Sequence, residues 1–578
     1  MARNATYFNN PRIPRQRQYE AVRAVYINNL TTEEAANKYG YTFSTMKSLL
    51  RDFRNYNLEL FPANINPGPK QRRTINDIQD KVIAYRKQSL SVTDIATKLE
   101  QEGTKLSVGT IQNILVDTGF GKLPRRTNSE RGLTMKEQLI PKRSMPIDFT
   151  STRPFTYDCP VAGIYFFLPY IIESGILDII SNCQLPASSS INAEQACLSM
   201  LLLKLIGTKR LSHIGAYDHE PGLGVFAGLN ILPKATYMST YSCRTSADDI
   251  TNLQEKIISH FKTIYPKFYN SGFINLDFHS IPHFGDQSQM EKVWCGARNR
   301  TMKGANTLFA QDSASNVILY TKADILRKDE SSEILNFISY WKNINNTKTS
   351  DTLVFDCKLT TYKILDQIYD DTKFVTLRKR NAKLLAETAE IPDNDWKKMY
   401  LPIPKRKHKR FLVHESNITL NKCKNKFRQI VIKDHGRSEP TFVITNNTEL
   451  EIKEILEVYA KRWHIENKFA ELVSFFNLNA LSSPLMVRIH FDIMWTIIAD
   501  TLYHKLAQDL PRFEKERANS IFRKFIDMPG RISFDGNKFI IKIRKRAMTP
   551  ILLGVKALQG ETNIPWLENK SISFKFTA

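Results

Sequence analysis

Between residues 273 and 377 the chain alternates short apolar runs with helical stretches in an order that few sheets accommodate. Phe273-Ile274-Asn275-Leu276-Asp277-Phe278-His279 reads as an apolar strand bearing one carboxylate. Two alternating strands follow, around residues 306–311 and 317–322, joined by the hairpin-forming stretch Asp312-Ser313-Ala314-Ser315-Asn316. Ile334, Leu335, Ile338 and Trp341 recur at helical spacing over 333–341. Thr352-Leu353-Val354-Phe355-Asp356 is a second buried strand with a carboxylate at its C-terminal end, followed by a helix over 360–369 and a strand over 373–377. The order is strand, strand, strand, helix, strand, helix, strand.

That order resembles the ribonuclease H-like fold, in which the first and fourth strands are neighbours. The likeness implies that Asp277 and Asp356 meet although they lie far apart in the chain. Such a fold needs a third acidic group from a late helix. A long helical pattern over 451–476 supplies it, because offsets of three and four place Tyr459, Arg462, Trp463 and Glu466 on one face. Three converging carboxylates repel one another. Two divalent cations about 3.5–4 Å apart would neutralise them and hold both the attacking and the leaving oxygen of a phosphodiester. Oxygen ligands favour Mg2+, or Mn2+, with two ions in the site.

The residues LDFHSIPHFGD around Asp277, LVFDCK around Asp356 and YAKRWHIE ending at Glu466 resemble a DDE transposase of the retroviral-integrase superfamily. Within it, the likeness is to the bacterial insertion-sequence group with a Tyr-Arg-Glu helix motif and a β-rich insertion before the last acidic residue, over about 145–500. The resemblance implies that Asp277, Asp356 and Glu466 are catalytic and bind metal. It also implies cut-and-paste chemistry: metal-dependent cleavage at transposon ends, then strand transfer by the freed 3′-hydroxyl. Tyr459 and Arg462 are thereby implied to meet DNA near the cut. The family lysine seven residues after the glutamate is Val473 here, and Lys468 lies elsewhere on the helix, so that role is not carried over. His279 and His283 read as second-shell or DNA-contacting groups, since histidine ligands would soften the preference for Mg2+. Trp463 is either core or a stacking platform for an unpaired base. An alternative for Glu466 is an ordinary surface residue paired with Arg462 at i,i+4.

The amino-terminal third has a different pattern. Ala21, Val22, Val25 and Tyr26 keep helical spacing, Thr31 and Glu34 form a capping box that starts a second helix, and Gly40 ends it. A third helix over 44–53 turns Met46, Leu49, Leu50 and Phe53 inward and Lys47, Arg51 and Arg54 outward, as a helix entering a major groove would. The arrangement repeats over 74–87, then from Ser91 through Leu99 to Gly103, then from Ser107 over 108–118. Between the repeats, Pro67-Gly68-Pro69 and the cations Lys70, Arg72 and Arg73 read as a basic linker that reaches phosphates.

Charge supports that reading. Eighty-two Lys and Arg against 58 Asp and Glu leave a formal charge of +24, which suits a polyanion. Residues 371–450 hold 18 basic against 9 acidic residues and include the cluster Lys405-Arg406-Lys407-His408-Lys409-Arg410. Residues 531–546 alternate apolar and basic residues, which suggests a strand with one cationic face. No run is long and apolar enough for a membrane span, and the seven scattered cysteines form no CxxC pair, so reduced thiols are expected. No secretory signal is read at the N-terminus. The expected setting is the cytoplasm with the bacterial nucleoid, or a nucleus.

The expected chain is multidomain. All-α helix-turn-helix domains (1–62 and 74–145, linker 63–73) precede a helical scaffold (146–270). An α/β ribonuclease H-like catalytic core then occupies 271–379 and 448–578, the latter with the C-terminal region, interrupted by a β-rich basic insertion (380–447). Expected partners are double-stranded DNA, as transposon ends and target, and a second copy of the chain in a synaptic homodimer. Two other readings stand beside this one: a host-adopted, catalytically inactive DNA-binding protein, and a stand-alone nuclease without strand transfer. The Gly-rich run 222–228 matches no phosphate-loop spacing and reads as a turn.

Overall fold

Thr31 closes a capping box with Glu34: the Thr31 amide donates to the carboxylate at 2.8 Å and its hydroxyl accepts from the Glu34 amide at 3.3 Å. Such a cap stabilises a helix start by about 1 kcal/mol. In the computed structural model of the chain it opens α2 (Thr32–Tyr39), which follows α1 (Pro14–Tyr26) and precedes α3 (Phe43–Arg54). Gly40 ends α2 at φ +69°, a left-handed conformation that glycine adopts without strain. The pattern recurs in α4 (Asn76–Lys87), α5 (Val92–Gln101) and α6 (Val108–Asp117), with Ser91 and Asp94 forming the second capping box. Each triplet buries its own core, one around Ala21, Ala35, Met46 and Leu50, the other around Val82, Ile95, Leu99 and Ile111. Phe53 departs from its expected inward position. It stays 36% exposed and packs at a tilt against Tyr26 instead.

The structure describes the chain apart from residues 1–7, 62–75, 89, 122, 124–142, 151, 286–289, 324, 346–350, 403–407, 481–484 and 578, and the side chains of 76 and 297. It divides into two units, Met1–Gln138 and Leu139–Ala578. The second unit is mixed α/β. It opens with β1 (Phe155–Cys159), then α7 (Ala193–Leu205) and α8 (Ala247–Ile264). Strand β1 lies within the stretch read as a helical scaffold over 146–270 and is not among the elements read from the sequence; it pairs antiparallel with a strand near the C-terminus. The Gly-rich run, read as a turn, is instead a buried short helix (Pro221–Gly224) running into a 3-10 turn of helix (Val225–Ala227) that ends at Gly228. A Cβ on Gly222 would lie 2.7 Å from the Asp158 carbonyl oxygen, so packing accounts for that glycine.

The central sheet is assembled from β2 (Phe273–Pro282), β3 (Lys292–Cys295), β4 (Arg300–Asp312) and β5 (Ile318–Lys322). After α9 (Glu333–Asn345) come β6 (Thr352–Phe355), α10 (Tyr362–Gln367) and β7 (Phe374–Leu377). β5, β4, β2, β6 and β7 are consecutive neighbours, with β2, β6 and β7 parallel and the others antiparallel. The first and fourth strands of the sequence pattern are therefore adjacent. All four residues of β6 are buried, which explains why it reads as a continuous apolar run without alternation.

Residues 380–447 are not purely strand. They begin with α11 (Ala382–Ala389) and continue as β8 (Lys397–Tyr400), β9 (Arg410–Thr419), β10 (Lys426–Lys433) and β11 (Thr441–Thr445). β11 pairs antiparallel with β7, so these strands extend the central sheet. The long helix expected over 451–476 is two helices, α12 (Ile452–Lys461) and α13 (His464–Ser474), broken at Arg462-Trp463 without proline or glycine. At the break the Arg462 amide bonds the Tyr459 carbonyl and the Glu466 amide bonds the Trp463 carbonyl, a tighter i,i+3 pattern. α12 packs on β6 and β7, and α13 on β2.

Helix α14 (Met486–Asp509) is buried on nearly all sides and packs on α7, α8 and β5. A second sheet closes the chain: β12 (Gly530–Phe534), β13 (Lys538–Arg544), β14 (Thr562–Ile564) and β15 (Lys570–Thr577), in the order β1-β12-β13-β15-β14. No helix among the described residues is long and apolar enough to cross a membrane. The seven cysteines are all free thiols.

Candidate active site

Strand register sets the first two acidic groups side by side. In the parallel pair of β2 and β6, Leu276 faces Phe355, and Asp277 and Asp356 are the residues that follow. Asp277 stays within its strand, where one carboxylate oxygen accepts from the Phe278 amide at 2.9 Å. Asp356 leaves its strand to cap a one-turn helix, and its Oδ1 accepts from the Cys357 amide at 2.5 Å.

The break between α12 and α13 brings the third group in. Arg462 Nη1 donates to Asp277 Oδ2 at 2.6 Å, and Nη2 reaches Glu466 Oε1 at 3.5 Å. One guanidinium thus joins two of the three acids. Their exposures differ: the Arg462 side chain is 14% exposed, that of Asp277 22% and that of Glu466 60%. Burial pushes the Asp277 carboxyl above its ordinary value, outweighing the pull of Arg462 and the Phe278 amide. Burial disfavours the Arg462 charge, but the fields of Asp277, Tyr459, Asp356 and Glu466 prevail and strengthen it. Tyr459 is pushed up to about 12, by burial first and then by Asp356, with Arg462 opposing.

Asp356, Tyr459, Arg462, Trp463 and Glu466 line one cavity of about 550 Å3. The shared face expected of these helix residues survives the break. Trp463 belongs to no core cluster among the described residues. It lies half-buried on the cavity wall, which removes the core reading. The opposite wall comes from the strand-rich segment, with His408, His435 and Arg437. His408 lies within the basic cluster noted in the sequence, but Arg437 gives no sequence signal; it follows a turn at Asp434 and Gly436, both at positive φ.

The remaining expected site residues are dispersed. His279 Nε2 is 2.8 Å from Asn479 Oδ1 and its ring packs on Phe469, while burial lowers its pKa. His279 is therefore committed to Asn479, a residue the sequence did not single out. His283 is buried just beyond β2; its amide donates to the Lys303 carbonyl, and its ring nitrogens have no hydrogen-bond partner among the described residues. Lys468 cannot reach the cavity. It is buried against Asp500 at 2.6 Å, Glu471 at 3.2 Å and His504 at 3.0 Å. On α3, Lys47, Arg51 and Arg54 are exposed, with Arg51 against Asp52 and Arg54 donating to the Tyr26 hydroxyl. Lys70, Arg72, Arg73, Lys405, Arg406 and Lys407 lie outside the described residues.

The donor set suits a hard cation. Asp277, Asp356 and Glu466 offer only oxygen, and the desolvated Asp277 needs a counter-charge. As the side chains stand, that charge is Arg462, and no three His, Cys, Asp or Glu residues among those described gather closely enough to hold an ion.

Residues 336–502 match a family described as the transposase DDE domain. That span contains Asp356, Tyr459, Arg462 and Glu466, and it begins after Asp277. No curated protein sequence matches the chain. Among solved structures, a piggyBac transposase synaptic complex with hairpin DNA is similar at 10% identity over 62% of this chain and 78% of that one, with a TM-score of 0.30. A pre-cleavage Mos1 transpososome is similar at 9% identity over 63% and 78%, with a TM-score of 0.15. A Mos1 mariner paired end complex with Mn is similar at 9% identity over 60% and 70%, with a TM-score of 0.14.

Proposed function

We propose that the chain is a DDE transposase that binds the ends of a DNA element, cuts the phosphodiester backbone there and joins the freed end to target DNA. One observation carries the reading. Arg462 ties Asp277 to Glu466 over the cavity that Asp356 also lines, and three of these four residues fall within the span matched to the transposase DDE domain. The strand order β5-β4-β2-β6-β7 supports a ribonuclease H-like core.

In this reading Asp277, Asp356 and Glu466 hold two Mg2+ or Mn2+ ions. When bound, such ions supply charge neutralisation and Lewis-acid polarisation of the phosphodiester oxygens. The chain's own groups do the rest. Arg462 holds the acids in place until DNA and metal bind and then offers its donors to phosphate, while Tyr459 and Trp463 present an aromatic wall to the DNA beside the cut. Helix α3 presents Lys47, Arg51 and Arg54 to a major groove, and the second three-helix unit binds alongside. Lys70, Arg72 and Arg73 track phosphates from the linker, as do Lys405, Arg406 and Lys407 from the strand-rich segment. Two ends require two active sites, hence a homodimer on DNA, working wherever the cell keeps its DNA.

The test is a supercoiled plasmid carrying the DNA that flanks the coding sequence, incubated with the full chain and Mg2+. Nicked and joined products are expected, and Asp277→Asn, Asp356→Asn and Glu466→Gln each abolish them while DNA binding persists. Binding without any nicking would favour the second reading, a DNA-binding protein that has lost catalysis. Arg462 standing among the acids, and Val473 in place of the family lysine, are the observations on that side.

A further inference from the structure

The C-terminal sheet has two unlike faces. Ile532, Phe534, Phe539, Ile541, Ile543 and Ile572 point into the core. On the other face, register aligns Arg531 with Lys542 and Lys542 with Lys575, one row across β12, β13 and β15, and Arg544 stands one step further along β13. All four are exposed. Rows lie about 4.8 Å apart between strands and about 7 Å apart between same-face residues, so these cations form a plane roughly 10 Å wide.

An ordinary solvated face mixes both signs of charge. This one is predominantly cationic. Among the described residues its carboxylates are Asp158 on β1, which takes Arg531 at 3.0 Å, and Glu561 at the edge, which takes Lys538 at 2.9 Å and accepts from the Ser571 hydroxyl. Lys542, Arg544 and Lys575 have no acidic partner among the described residues. Between the cations stand hydroxyls: Ser533, Ser571, Ser573 and Thr577 alternate onto the same face, beside Thr156. Among the described residues of these strands Ile540 alone adds apolar surface to that face, too little for insertion into lipid.

Cations interleaved with hydroxyl donors are what a phosphate backbone is held by. A duplex offers one charge per about 1.7 Å of axis, so a flat cationic plane meets several phosphates at once, whereas a single small anion would need a pocket. We infer that the outer face of the β1-β12-β13-β15-β14 sheet is a sequence-independent docking surface for the backbone of double-stranded DNA. This rests on the reading of the chain as a DNA-acting protein and adds to it a contact surface separate from the acidic cavity and from the three-helix units.

The test compares the full-length chain with its Lys542→Gln/Arg544→Gln/Lys575→Gln variant, by fluorescence anisotropy on a 30-base-pair random duplex between 50 and 200 mM salt. The variant is expected to bind roughly tenfold more weakly at 100 mM salt. Its slope of log affinity against log salt should fall by about 2–3, since each phosphate contact contributes about 0.9. Lys542→Gln alone should lower the slope by about one, which guards against a folding defect in the triple variant. Unchanged affinity and slope would overturn the inference, as would a loss confined to binding of phosphatidylserine vesicles. Nicking with Mg2+ is scored on the same proteins at saturating concentration. If the wild type nicks while the slopes coincide, the face falls and the transposase reading stands; if neither nicks but the slopes differ, the reverse holds.

Discussion

Arg462 donates to Asp277 at 2.6 Å across 185 positions of sequence, and the same guanidinium reaches Glu466 one helical turn onward. A bidentate fork can satisfy two carboxylates that would otherwise repel, and lysine offers no such geometry. Arg462 is thus the counter-charge that opposes the upward push of burial on the Asp277 carboxyl.

Removing that charge has a signed consequence. Burial already raises the Asp277 carboxyl, and Arg462 is the main group opposing it. In Arg462→Gln the pKa rises further, so the acidic limb of the nicking rate against pH moves to higher pH. Arg462→Lys should restore the limb only in part. A limb at the same pH in wild type and Arg462→Gln would show that Asp277 does not titrate in the reaction.

Divalent cations are the second expectation. Chelation by EDTA abolishes nicking and leaves duplex binding in place, and Mg2+ or Mn2+ restores it. Nicking that persists in EDTA would remove the three acids from a metal-binding role.

The buried group behind α13 gives a stability test. Burial lifts the Asp500 carboxyl to about 7, against the opposing pull of Lys468. Below about pH 4 the folded and unfolded chains both hold that proton. Between about 4 and 7 the unfolded chain releases it and the folded chain does not, so stability falls as pH rises and levels off above 7. The unfolding free energy of the wild type relative to Asp500→Asn should therefore decline by roughly 2–4 kcal/mol across that window, measured by urea unfolding at a series of pH values. A flat difference would mean that Asp500 is already ionised at pH 4. Lys468→Met, which leaves the buried Glu471 carboxylate without its cation, should destabilise by about 3–5 kcal/mol.

In the first unit, Lys47→Ala should weaken duplex binding evenly across sequences and lower the salt slope by about one. A loss confined to one sequence would instead mean that Lys47 reads bases.

Much of this was legible because its causes are local. Strands β2 and β6 announce themselves as apolar runs, each with one acid, and the capping boxes at Thr31 and Ser91 need only three residues. The adjacency of the strands bearing Asp277 and Asp356 was implied by the likeness of the element order to the ribonuclease H-like fold. What stayed hidden depends on distant partners. The break at Arg462-Trp463 has no helix breaker in the sequence, and its i,i+3 bonds coincide with the contact to Asp277. β1 looked like part of a helical region because its partner β12 lies near the other end of the unit. Lys468 and Glu471 have the spacing of a surface ion pair, yet Asp500 and His504 of α14 cover them. Arg437 reaches the cavity only because β10 and β11 continue the central sheet.

The most direct test of the central claim is a crystal structure of the full chain with end DNA and Mn2+, using anomalous scattering to place the metal. The expected result is two Mn2+ peaks in ligand contact with Asp277, Asp356 and Glu466, with Arg462 turned away from Asp277 toward phosphate. Arg462 still bridging Asp277 and Glu466 on bound DNA, with no Mn2+ peak among the three acids, would contradict it.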